Sequence, residues 1–165
     1  EITRGAGGDL VIKPFEDILK KHAEEISAVI LEPIVMAAGG MIIYPKEYLA
    51  RAARLAGRFN VHLIVDEVAT GFGRTGRMFA SDFADCRPDF MCLSKGITSG
   101  TLPLALTLTT DEIYKAFYAD YRLKKTFYHG HTYTANPISC SAALASLEVF
   151  REEKTLDRLK ILLKI

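Results

Sequence analysis

The sequence contains no apolar run approaching the ~20 residues that a membrane-spanning helix requires. It has no excess of either charge, since 21 basic side chains face 20 acidic ones for a formal +1. That balance gives no electrostatic reason to bind nucleic acid or an anionic membrane. Cysteine is scarce. Cys86, Cys92 and Cys140 are odd in number and lack zinc-site spacing, so they read as free thiols of a reducing, cytoplasmic compartment, with no metal expected. A signal-peptide pattern, internal repeats, low-complexity tracts and obvious linkers are all missing. EITRGAGGDL opens without an initiator Met, and LDRLKILLKI stops in an apolar helical pattern without a cap. Both ends lead to the expectation of a piece of a longer chain.

What is present is an ordinary globular composition, 165 residues with 49% hydrophobic and 25% charged side chains, enough for one domain with a core. Apolar spacing predicts helices over 14–26 and 45–59, each opened by a proline at its first turn. Short continuous apolar runs predict strands: one within 28–35 that ends near Glu32, and others over 61–65, 89–94 and 104–110. Residues 69–89 read as a loop with one short helical turn. A helix follows at 111–118, with Thr109 and Glu112 spaced as a capping box. Another runs over 136–150, capped by Asn136, and a last one starts near Thr155. Helices alternating with continuous apolar strands imply an α/β fold of three layers, a mostly parallel sheet with helices on both faces. Ligands in such sheets sit beyond the carboxyl ends of the strands, where Glu32, Asp66 and Lys95 all fall.

LIVDEVATGFGRTG, residues 63–76, runs a buried strand directly into Asp66. A carboxylate at the lip of a sheet is costly unless a cation or several donors meet it. Strand alternation sends Glu67 to the opposite face. Three partners suit Asp66: a protonated pyridine nitrogen, Mg²⁺ on a nucleotide, or the amides of a turn that it caps. The nucleotide reading requires G-x-x-x-x-G-K-[ST] upstream, and the sequence has none. The pyridine reading requires a lysine able to form a Schiff base. Lys95 in FMCLSKGITSG lies just past a strand and before a glycine turn, where partial burial would favour the free amine.

Together, ILEP, GGM, LIVDEVATGFGRTG, FMCLSKGITSG and FYHGHTYTANPISCSAALASLE resemble the class III aminotransferases of the pyridoxal-phosphate fold type I. The resemblance covers roughly Lys13 to Glu148, and its most specific part is the pairing of D-E-V-x-T-G-F-G-R-T-G with the S-K-G lysine. It implies that Asp66 pairs with the pyridine nitrogen, that Val68 packs on the ring, and that Lys95 holds the cofactor and then shuttles a proton. It implies that His131 and Thr132 reach the cofactor phosphate of a partner subunit, that Gly130 leaves room for substrate, and that Glu32 lies near the cofactor. The implied partners are a small-molecule amino donor, a keto acceptor and a second copy of the chain in a homodimer with shared sites. The chain, residues 1–165, would be the central part of the cofactor-binding large domain, without its N-terminal segment and C-terminal small domain. Many members carry Q-G-E-G-G after Glu-Pro, where this chain has VMAAGG with Met36 and Ala38. In the family's ω-aminotransferases that Glu pairs with an Arg which otherwise grips the α-carboxylate, so the resemblance, with Ala38 in its place, argues against that switch and favours the biotin-synthesis branch.

Other residues carry weaker signals. His129 and His131 form H-x-H without a third ligand nearby, so ordinary hydrogen bonds are expected rather than a metal. Arg74 and Arg77 suit a salt bridge or solvated loop better than a phosphate. Tyr118, Tyr121 and Tyr128 fit a substrate path, an interface or helix packing, and Cys92 fits the core rather than a nucleophile.

Overall fold

A computed structural model describes residues 8–163. Helix α1 runs Gly8–His22 and closes in a 3₁₀ turn, Ala23–Glu25. It starts six residues before the expected Pro14, which lies inside it. Ile12 and Leu19, both buried, carry one apolar stripe across the proline. That stripe packs on the next helix, α2 (Lys46–Arg58), and holds the helix together where the proline supplies no N–H.

Strand β1, Ala28–Leu31, ends within a residue of the expected Glu32, and the apolar run continues beyond it. After Glu32 the chain turns out of the sheet at Pro33 and at Ile34, whose φ is 66°. The rest of the run, β2 (Val35–Met36), forms an antiparallel hairpin with β3 (Ile42–Ile43). The main sheet adds β4 (His62–Asp66), β5 (Phe90–Leu93) and β6 (Leu106–Thr109), in the order β1-β4-β5-β6. The first three strands are parallel and β6 is antiparallel to β5, so the expected mostly parallel α/β sheet is present.

Strand alternation divides this sheet into two faces. Leu63, Val65, Met91 and Leu93 share one face, and both buried clusters form there. Ala53 and Ala56 of α2 cover Leu63 and Val65. Ala143 and Phe150 of α4 (Pro137–Glu152) close on Phe72, Leu93 and Ile97. The opposite face carries Ile64, Asp66, Phe90 and Cys92, all half-buried.

Helix α3 spans Asp111–Phe117 and is capped by Thr110, whose hydroxyl accepts from the Ile113 amide at 3.4 Å. Thr109, the expected cap, closes β6 and donates instead to the Asp89 carbonyl at 3.0 Å. The Asn136 cap of α4 is found as expected, accepting from the Ser139 amide at 2.9 Å. Helix α5 runs Thr155–Leu163. Among the described residues no helix is long and apolar enough to cross a membrane.

Candidate active site

Asp66 is the last residue of β4 and stands in register with Cys92 on β5. It is half-buried, and its Oδ1 accepts from the Val68 amide at 3.0 Å. No other hydrogen bond or ion pair among the described residues engages the carboxylate, so one oxygen is open to a donor. Burial, then the charge of Asp66, push the Cys92 thiol above its ordinary range. Val68, half-buried, lies two residues beyond Asp66.

Lys95 follows β5 at the same carboxyl edge and opens a 3₁₀ turn, Lys95–Thr98. Its backbone is left-handed, with φ at 44°. Among the bonds that hold that turn, the Ser94 hydroxyl donates to the Leu104 carbonyl at 2.6 Å, the Ile97 amide to the Ser94 carbonyl at 3.2 Å, and the Gly100 amide to the Lys95 carbonyl at 3.2 Å. The side chain is exposed, not partly buried as the flanking strand suggested. Its ammonium has no ion pair among the described residues. The two strand ends thus present a carboxylate that can hold a cationic N–H and an amine that can add to a carbonyl.

Glu32, just past β1, spends its carboxylate on the next loop. Oε2 accepts from the Ala37 amide at 2.8 Å, and the Ala38 amide lies 3.3 Å from both oxygens. Its own carbonyl accepts from the Tyr44 hydroxyl at 2.6 Å. Burial drives the Tyr44 phenol well above its usual range. Strand alternation gave Glu67 only a face, opposite that of Asp66, and no partners. It is fully buried and bonded to Thr70, Ala80 and Ser81. The only local signal was a threonine three residues on.

Gly130, His131 and Thr132 lie in an exposed loop, where the His131 amide donates to the Thr134 hydroxyl at 3.0 Å. His131 lines a 640 Å³ cavity with Ser94, the neighbour of Lys95, and with Leu104 and Asn136. No hydrogen bond joins His131 or Thr132 to Asp66 or Lys95. A Cβ at Gly130 would meet only the Thr134 hydroxyl, at 3.8 Å. Among the described residues no cluster of His, Cys, Asp and Glu could hold a metal. Arg77 donates to the Asp82 carbonyl at 2.7 Å and stacks on Phe83 at 4.5 Å. Tyr118, Tyr121 and Tyr128 are exposed, which removes the helix-packing reading within this chain.

Comparison with known proteins agrees with this geometry. The family model "Aminotransferase class-III" matches residues 2–164. The adenosylmethionine-8-amino-7-oxononanoate aminotransferase of Aquifex aeolicus is 53% identical over 155 residues, 94% of this chain and 34% of that protein. The crystal structure of the enzyme of that name from Methanocaldococcus jannaschii has a TM-score of 0.84 at 47% identity, covering 90% of this chain and 35% of that one. An ornithine aminotransferase from Toxoplasma gondii, described with partial occupancy of PLP at its active site, has a TM-score of 0.77 at 32% identity, covering 89% and 32%. The chain spans about a third of the length of the curated relatives it matches. The match sets aside the Mg-nucleotide reading of Asp66.

Proposed function

The chain belongs to the class III aminotransferases, and we propose that it is the central part of the cofactor-binding large domain of an enzyme that aminates 8-amino-7-oxononanoate to 7,8-diaminononanoate in biotin synthesis. The relatives' shared name supports the substrate and suggests adenosylmethionine as the amino donor. The observation that carries the chemistry is the placement of Asp66 and Lys95 at the carboxyl ends of adjacent parallel strands.

The family is pyridoxal-phosphate-dependent, and the residues fit that group: Asp66 keeps an oxygen for a pyridinium N–H, and the Lys95 amine is uncommitted. Bound pyridoxal phosphate supplies an electron sink for the pair left when a substrate Cα–H bond breaks. The Asp66 carboxylate keeps the ring nitrogen protonated, and Val68 packs against the ring. Lys95 Nζ would hold the cofactor through its aldehyde carbon with loss of water, and, once the substrate amine has displaced it, would carry the proton between substrate Cα and the cofactor. Glu32 stays on its loop amides and holds residues 37–38 beside the site. His131 and Thr132 serve the cofactor phosphate of a second copy, and Gly130 leaves room for the substrate. A homodimer with shared sites is supported by the exposed aromatic side chains between Tyr114 and Tyr133. Three free cysteines support a cytoplasmic setting.

The test is reduction with borohydride after incubation of the longer protein with pyridoxal phosphate, followed by peptide mapping. The expected result is a phosphopyridoxyl mass shift confined to Lys95 and absent in Lys95→Ala. A folded protein with no specific adduct would overturn the proposal.

A further inference from the structure

Glu67 has no part in the chemistry proposed above, yet it is among the most completely enclosed side chains of the chain, at 0% exposure. A buried carboxylate normally meets a cation. This one meets three neutral donors. Its Oε2 accepts from the Thr70 hydroxyl at 2.6 Å and the Ala80 amide at 3.1 Å, and its Oε1 from the Ser81 amide at 2.7 Å. Bonds to an ionised acceptor are the strong kind, and here they tie the start of the loop after β4 to its end. The backbone of Glu67 is committed as well. Its amide donates to the Cys92 carbonyl at 2.9 Å, and its carbonyl accepts from the Gly71 amide at 2.9 Å.

The ring that this clasp closes contains Phe72, which lies in the left-handed region at φ 59° and whose amide donates a hydrogen bond to the Met78 carbonyl at 2.7 Å. Phe72 abuts the lysine turn so closely that a Cβ on Gly96 would lie 2.9 Å from the Phe72 Cβ. Lys95, next to Gly96, is itself left-handed, a conformation that surrounding contacts must impose on a residue other than glycine. On its other side, Glu67 separates Asp66 from Val68, whose amide orients the Asp66 carboxylate. One buried side chain is thereby coupled to both groups of the site.

We propose that Glu67 is a positioning residue that holds Asp66 and the Lys95 turn in their mutual geometry through the closed 67–81 loop. This rests on the pyridoxal-phosphate reading. Glutamine has the right shape but the wrong hydrogens: in either amide orientation its NH₂ faces a donor where the carboxylate offered an oxygen.

The test uses the longer protein and compares Glu67→Gln with wild type for pyridoxal-phosphate affinity and for the pH midpoint of the bound cofactor's visible absorption. Both are measured well below the melting temperature. Glu67→Gln should weaken cofactor binding about tenfold, the order of one unsatisfied buried donor, and should move the absorption midpoint. A side chain that only stabilised the fold would lower the melting temperature and leave both readouts unchanged, and that result overturns the proposal. If Glu67→Gln does not fold, the isosteric Thr70→Val decides, with about threefold weaker binding expected for one lost bond and wild-type binding overturning it. Absence of a Lys95 adduct in wild type would instead refute the aminotransferase reading itself.

Discussion

Leu93 and Leu106 are register partners on neighbouring strands and share one face of the sheet, yet Leu93 is 3% exposed and Leu106 is 38% exposed. The contrast extends along the chain. Between Val61 and Thr98 the buried positions include Leu63, Val65, Glu67, Phe72, Leu93 and Ile97. From Thr101 to Ala135 no residue is buried, although a strand, a helix and a 3₁₀ turn are all formed. The aromatic side chains there pair with one another, Tyr114 with Tyr118 and Phe117 with Phe127, rather than with a core. Secondary structure therefore does not separate the two regions. What separates them is whether the apolar surface each presents is covered within this chain.

The sharpest break of that comparison is a pair of truncations. Leu93→Ala removes a side chain from the cluster around Phe72 and Ile97, and should cost about 2–5 kcal/mol in urea unfolding. Leu106→Ala should cost under about 1 kcal/mol in this chain. In the longer protein proposed above, the Leu106 value should rise toward that of Leu93 if a partner surface covers β6. Equal costs in the chain alone would erase the distinction.

A second measurement reads the packed region through its titration. Burial, then the Glu67 charge, raise the Cys86 thiol from an ordinary 9.0 to about 11. The folded state therefore keeps its proton after the unfolded state has lost it. The stability this contributes is complete below pH 9.0 and is lost as pH rises through about 11. Unfolding free energy should fall across that window, and Cys86→Ala should flatten the fall. Alkylation of Cys86 in the folded chain should have its midpoint near 11.

The smallest effect belongs to the exposed stretch. Tyr121→Ser and Tyr128→Ser should each change the unfolding free energy of the chain by no more than about 0.5 kcal/mol. In sedimentation runs the same substitutions should weaken self-association. A loss of stability without that change would mean that the tyrosines pack within the chain.

Much of the fold was legible because its strands are continuous apolar runs that end in charged residues. The ends of β4 and β5 fall within a residue of the expected places, and they carry Asp66 and Lys95. The Asn136 cap was legible because its partner lies three residues away. What the sequence hid depends on distant or backbone partners. The Ala80 and Ser81 amides that enclose Glu67 lie 13 and 14 residues on and leave no mark in residue type. The outward turn at Ile34 uses a backbone conformation that isoleucine rarely adopts. Thr109 and Thr110 offer the same hydroxyl, and only the β5–β6 register assigns one to the strand and the other to the helix.

The cluster that joins Phe72, Leu93 and Ile97 to Ala143 also sets an order of events during synthesis. The ribosome releases Phe72 about 70 residues before Ala143, an interval of several seconds at ordinary elongation rates. Once Thr98 has followed, about 45 residues before Ala143, the loop after β4 and the lysine turn can meet, while the apolar surface that α4 will cover stays open to other chains. Slower translation of residues 100–140 would lengthen that exposure without changing any contact in the finished fold.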